Sequence, residues 1–541
     1  MTTTPEQINE LLSKAMVAMR NSQYQEAITL TNQILEHEKD HASAHAVKFS
    51  SLFKAQKFEQ ARQLGGRTAQ LNPTSEFVLN NQACLQLEAK QPASAAGLLK
   101  SLIDQFGERS QWLYNLALAH RMVGNYDYAI ITFRRTLDHQ PDHDRAAFQL
   151  ADCLSVIGHK EEAIRAYDYV RLLRSKHAPS HSNYICQAVN NNALTTEGLL
   201  QELRLWEDRF IPKDNRYTAN SIQNPKQVRI GFLIGSLPEN WLEATVAPVI
   251  NKLASGNDSI NVYWHDEKLR EGLFNSAVTV VNSPGFSDAD FARKVRNDNI
   301  EILIDVCGMR RGSRQRALGL QVAGKEFGWL AHEGRYATPL VKLLDDALGE
   351  YRFFVSAEYE SFTARTKPIS GKMLAGIGCQ HGLSHSVIKV WAEVLRRLPE
   401  WQLHLDVSNK LVSKLLIERF AAHDIEPDRL SFDAKARPGK GTIVLDNFVQ
   451  NDPVAAANAI SHGAILVAVE GSLFPAKQSA GLLKQLGKAD WLCDNQRDYR
   501  NRILALVNDG DEPIDQQAFN QSGVRDLNRF AARFRELIVT D

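Results

Sequence analysis

No sign of charge prevails in this chain. Its 541 residues hold 63 Lys and Arg against 63 Asp and Glu, so no broad field favours a polyanion and nucleic acid is not an expected partner, although a local basic patch stays open. Cysteine is scarce and scattered, with six residues at 84, 153, 186, 307, 379 and 493 and no C-x-x-C pair. That spacing offers neither a disulfide framework nor a structural zinc site, and no metal is expected. Nor does any run of 18 apolar residues occur, so no membrane span is expected. The first ten residues, Met1 to Glu10, are polar and lack a signal-peptide core. A cytoplasmic, reducing setting is the expectation.

What is present is ordinary globular material, 44% hydrophobic and 23% charged, in a chain too long for one core. An alanine recurs every 34 residues, at Ala27, Ala61, Ala95, Ala129 and Ala163. Thirty-four is the tetratricopeptide period, and a small residue is needed where the two helices of a hairpin cross closely. Twelve residues upstream, Ala15, Ala83, Ala117 and Ala151 supply the facing small position, while Phe49 breaks the pattern. Five repeats are placed at 8–41, 42–75, 76–109, 110–143 and 144–177, within an array over 1–181. Such arrays present a concave surface on which a protein partner docks; Trp112, Tyr114, Asn115 and His120 are candidates to line that groove, with packing between repeats the equal alternative for Trp112.

From Ser182 two further helices lead into a polar, proline-bearing stretch, so 182–227 reads as bridging helices and linker. Short apolar runs then alternate with helical patterns: Val228 to Ile234, Ala244 to Leu253, Ile260 to Tyr263, Ser287 to Arg296, Ile300 to Val306 and Glu326 to Leu330. The alternation predicts a doubly wound parallel sheet, assigned to 228–370. A second one, 371–541, starts at Met373 to Gln380 and continues through Val387 to Leu398, Trp401 to Val407, Lys410 to His423 and the β-loop-α-β unit Ile443 to Gly471. Helix starts near strand ends of this kind offer free N–H groups to phosphates.

The run Ile302-Leu-Ile-Asp305-Val-Cys-Gly308-Met-Arg-Arg-Gly312-Ser-Arg314, with Trp329-Leu330 and Gly334 beyond it, resembles the SPINDLY and O-linked N-acetylglucosamine transferase family. Asp446, Gly463, Gly471 and Tyr499 fall in the family's order in the second half. The resemblance covers nearly the whole chain. It implies a tetratricopeptide superhelix followed by a GT-B pair of Rossmann-like domains, with a sugar nucleotide in the cleft between them. The implied activity is transfer of a sugar from a UDP- or GDP-sugar to Ser or Thr of a protein held by the repeats, with no other cofactor.

Residue by residue, the resemblance is broken at the donor site. Aligned on Trp391, Gly382 stands where the family has a lysine; aligned on Gly463, Asp452, Pro453, Val454 and Ala455 fill the Gly-His-Thr-Thr slots and Asn458 that of an aspartate. Two family histidines fall near Asn240 and Trp241 and at Glu301. Proline donates no N–H, valine and alanine carry no hydroxyl, and Asp452 repels phosphate. The resemblance leaves as candidate nucleotide-sugar ligands His381, His385, Asp446, Asn451, Asn458 and Lys477, the last where the family often has arginine. Lys389, Lys435, Arg437 and Lys440 are further cations nearby, each equally readable as a solvated loop residue. Gly308, Gly312, Arg314, Gly463 and Gly471 are expected to keep the frame of the fold. His381 and His385, four apart, lack a third metal ligand. Two functions stand open: the protein O-glycosyltransferase, and a catalytically inactive relative acting as a protein-binding scaffold or regulator.

Overall fold

The computed structural model describes residues 4–211, 217, 221–235, 237, 239–265, 271–310, 312–330, 341–344, 348, 354–356, 369, 371–434 and 436–540. Gly334, Lys435 and most of the 212–220 stretch lie outside the described residues. The chain divides into two compact units, Met1–Leu154 and Ser155–Asp541.

The first unit is all helix: α1 (Pro5–Arg20), α2 (Tyr24–His37), α3 (Ala42–Lys54), α4 (Phe58–Leu71), α5 (Glu76–Glu88), α6 (Pro92–Phe106), α7 (Ser110–Met122), α8 (Tyr126–His139) and α9 (Asp144–Val156), whose last two residues belong to the second unit. Ala15, Ala27, Ala61, Ala83, Ala95, Ala117, Ala129 and Ala151 are all fully buried, which is what close helix crossing demands of them. Phe49, the exception to the pattern, is fully buried too. Its ring finds room beside Gly65 of α4, where a Cβ would stand 3.2 Å from it. Trp112 belongs to the packing, 4% exposed and 6.4 Å from Phe106 ring to ring.

The second unit continues with α10 (Lys160–Leu173), α11 (Ala178–Val189) and α12 (Thr196–Phe210), so twelve helices precede the first strand among the described residues. Two six-stranded sheets follow. The first holds β1 (Arg229–Ile234), β2 (Ser259–Trp264), β3 (Val278–Asn282), β4 (Ile302–Asp305), β5 (Lys325–Gly328) and β6 (Val341–Leu343) in the order β3-β2-β1-β4-β5-β6, all parallel. The second holds β7 (Met373–Gly376), β8 (Gln402–Leu405), β9 (Leu430–Phe432), β10 (Ile443–Leu445), β11 (Ile465–Val469) and β12 (Leu492–Cys493) in the order β12-β11-β10-β7-β8-β9, again all parallel. Numbered from its own start, each sheet runs 3-2-1-4-5-6, the Rossmann order.

Helices flank these sheets as the apolar pattern requires, for instance Asp288–Asn297 capped by Ser287, and His385–Arg397 capped by Ser384 with Trp391 and Leu395 fully buried. Between Trp241 and Ala247 the chain makes a π-helical turn, Leu242–Val246, before the helix Ala247–Ala254. The C-terminal helix Leu527–Thr540 crosses back to the first sheet. There Phe534 meets Trp329 at 4.8 Å, and Arg535 is held by Asp258 at 2.6 and 2.8 Å. One buried apolar cluster, from Val228 to Ile538, takes in residues of both sheets.

Candidate functional site

Strand order decides where a ligand fits. In the second sheet the strand order reverses between β7 and β10, so the loops leaving those strands, 377–384 and 446–452, flank the switch point, the place where open α/β sheets form a ligand crevice. Backbone N–H groups are available there by geometry, from Gly378 and Cys379 after β7 and from the start of the helix Pro453–Ser461 after β10. Both sets are already engaged. Asp406, just past β8, accepts from Gly378 N at 3.0 Å and Cys379 N at 2.8 Å. Asp452 caps the helix, accepting from Val454 N at 3.2 Å and Ala455 N at 3.0 Å. The same carboxylate also takes the indole N–H of Trp241 at 3.0 Å and the amide of Asn240 at 3.3 Å, so it ties the loop after β1 to the loop after β10.

A third carboxylate stands close by. Asp446 at the end of β10 is fully buried and accepts from Asn451 Nδ2 at 2.7 Å. Burial, and next to it the Asp452 charge, push the pKa of Asp446 up to about 7; burial and the same charge bring Asp406 to about 7 against the pull of its backbone N–H donors. Three carboxyl groups of the chain thus stand where a diphosphate would bring negative charge, and two of them hold their protons up to about pH 7.

Of the residues singled out from sequence, Asp446 and Asn451 come together and bond each other. Asn451 also donates to Asn447 O and accepts from Ser479 N, while Tyr499 donates to Asp446 O at 3.1 Å. Asn458 is half-buried in its helix, its carbonyl accepting from Ser461 and His462 side chains. Lys477 is half-buried at the start of the helix Gln478–Gln485. His381 and His385 are exposed, the latter 5.3 Å from the His423 ring. Among the described residues no group of three His, Cys, Asp or Glu is arranged to hold a metal ion.

The frame residues are packed. Arg314 donates to Asp288, His265 Nδ1 and the Ser283 carbonyl, joining the ends of β2 and β3. Gly312, at φ +93°, leaves no space for a Cβ, which would stand 2.9 Å from Gly235 Cα. Gly308 and Gly463 also have positive φ, and Gly471 donates to Ala476 O in a tight loop.

Gly382, the position aligned with a lysine, has a physical reason to be glycine. At φ +79° its missing Cβ would stand 3.0 Å from Gly158 Cα, and the reciprocal Cβ on Gly158 would stand 3.2 Å from Gly382 Cα. The turn before α10 lies backbone to backbone against this loop. Two residues on, Lys160 is 4% exposed with its ammonium 3.4 Å from Gln450 Oε1, and Glu161 pairs with Arg419 at 3.0 Å. Burial lowers the Lys160 pKa to about 8. Neither Lys160 nor Asp406 was singled out by sequence. Their partners lie 290 and 27 to 28 residues away, although an aspartate directly after an apolar strand was a signal for the second.

These observations define a tetratricopeptide-type helical array followed by a GT-B pair of Rossmann-like domains. The tetratricopeptide repeat family model matches residues 80–137. No curated protein matches the chain in sequence. Among solved structures the chain is similar to an O-GlcNAc transferase of Thermobaculum terrenum, a Lys→Met variant, at 16% identity over 86% of this chain and 94% of that one, with a TM-score of 0.64. MamA of Desulfovibrio magneticus RS-1 (15% identity, 32% of this chain and 97% of that one, TM-score 0.30) and YrrB, a tetratricopeptide protein with an unusual peptide-binding site (16%, 33% and 91%, 0.29), match over about a third of the chain. At these identities the likeness is one of fold. No helix among the described residues is long and apolar enough to cross a membrane.

Proposed function

We propose that the chain is a protein-binding scaffold whose α/β half keeps the frame of a glycosyltransferase without performing transfer. The observation that carries this reading is the internal occupation of the donor crevice. The N–H groups of Gly378, Cys379, Val454 and Ala455 are bonded to aspartates of the chain itself. A sugar diphosphate would have to displace those carboxylates and then bear their charge at close range. Loss of one group stabilising a leaving group typically costs about 10² to 10³ in rate, and here the lysine position, the hydroxyls and the free N–H groups are all replaced. Protein recognition falls to the tetratricopeptide repeats, whose general use is to bind protein segments.

A second reading, transfer of a sugar from a UDP- or GDP-sugar to Ser or Thr of a bound protein, draws on the likeness of fold to an O-GlcNAc transferase. One local feature favours it. A cavity of about 520 Å³ opens beyond β8 and β9, lined by Val407, Ser408, Lys410, Lys414, Phe432 and Asp433 among others, which is room for a base and ribose. The two readings part in one assay. Incubation with UDP- and GDP-sugars labelled in the sugar is expected to release no more free sugar than buffer alone. Enzyme-dependent hydrolysis or labelling of protein would establish the transferase instead.

A further inference from the structure

Three elements of the second unit bring cations to one pocket outside the crevice. Ser175 and Lys176 form the turn after α10, Arg209 and Phe210 end α12, and Arg316 belongs to the short helix Gln315–Leu318. Together these five residues line a cavity of about 380 Å³, with no carboxylate among them. Lys176, Arg209 and Arg316 are exposed. The side chains of Lys176 and Arg209 have no hydrogen-bond or ion-pair partner among the described residues, while Arg316 is loosely matched to Asp288 at 3.7 Å. In a chain whose charges cancel, three cations facing one cavity repel each other unless an anion comes between them.

The chemistry of the walls narrows the anion. Arg forks and a Lys ammonium around a shared point suit a phosphate dianion, which accepts several charge-assisted bonds at once. The aromatic wall is not free to stack a base, because the Phe210 ring is already packed by Trp206 at 5.2 Å and by His181 edge-on at 6.1 Å. The cavity is at the small end of ligand pockets, enough for a phosphate, the side chain that bears it and a short length of backbone. Ser175 adds a hydroxyl that donates or accepts at the rim.

We propose that this pocket binds a phosphorylated serine or threonine on a segment of a partner protein. The site is separate from the crevice and does not depend on whether the crevice is silent.

The test uses the full-length protein and a fluorescent pentapeptide with phosphoserine between alanines, its unphosphorylated twin, inorganic phosphate and AMP. Anisotropy is expected to show the phosphopeptide binding at least tenfold more tightly than its twin, with affinity falling from 0.05 to 0.5 M salt as screening sets in. The pair of substitutions Arg209→Ala and Arg316→Ala is expected to remove at least tenfold of that affinity. Since both side chains are exposed, the circular dichroism and melting of the variant are expected to match the parent. Equal binding of the two peptides, an unchanged affinity in the double variant, or AMP displacing the probe more effectively than the phosphopeptide and inorganic phosphate would each overturn the assignment.

Discussion

At the mouth of the second sheet the groups able to hold an anion are taken: four backbone N–H groups donate to Asp406 and Asp452, and Gly158 fills the space a side chain at 382 would need. At the pocket of Lys176, Arg209 and Arg316 the reverse holds, with exposed cations and no carboxylate among the described lining residues. Both lie in one compact unit, so the contrast does not follow from the composition of the chain. It teaches that a fold's customary ligand position and its anion-binding chemistry can separate. The strand order places the crevice, while single loop residues decide whether it is open.

The largest effect is expected from returning a lysine to the crevice. Gly382→Lys forces a side chain into left-handed backbone against Gly158, at a cost of about 3 kcal/mol from strain and overpacking together, read as a lowered midpoint of denaturant unfolding. An unchanged midpoint would mean that the turn before α10 yields easily and the position is not closed.

Lys160→Met is expected to act in the opposite direction. A lysine held at about 8 in the fold and near 10.5 when unfolded binds its proton more weakly in the native state. Its penalty, up to about 3 kcal/mol, is therefore fully present below pH 8 and fades as pH rises towards 10.5. The variant should be the more stable protein at pH 7, with the difference shrinking at pH 10. A difference that did not vary with pH would show that Lys160 keeps its ordinary pKa in the fold, as a solvated lysine does.

Asp452→Ala removes a helix cap and leaves the Trp241 indole without its acceptor, for an expected loss of about 2 kcal/mol. The same change empties Val454 N and Ala455 N, so weak pyrophosphate binding, absent from the parent, is expected to appear in calorimetry. Arg209→Ala stands at the small end, with stability expected within about 0.5 kcal/mol of the parent, because its side chain has no partner to lose among the described residues.

Much of the frame was legible in sequence. The 34-residue alanine period marks helix crossings because only a small side chain fits there, and apolar runs such as Ile465–Val469 read as strands because they are buried on both faces. The edge strand Val278–Asn282 escaped that pattern, since most of its side chains reach solvent. The site was legible only in part. Asp452 followed by Pro453 carries the signature of an N-cap with proline at the first helical position, yet as a family substitution it read only as a charge that repels phosphate. Asp446 and Asn451 were candidates by resemblance alone, and the hydrogen bond between them, which spans five residues of loop, carries no signal in sequence. Lys160 could not be read at all, for nothing in a repeat distinguishes a lysine that will face solvent from one that will be covered by a loop 290 residues away.

The central claim is that the crevice of the second sheet is filled by the chain's own carboxylates. Isothermal calorimetry with UDP, GDP and their sugar conjugates tests it most directly: the account predicts no saturable heat up to millimolar nucleotide. Saturable binding that Lys477→Ala abolishes would contradict it, and would place a nucleotide in the crevice after all.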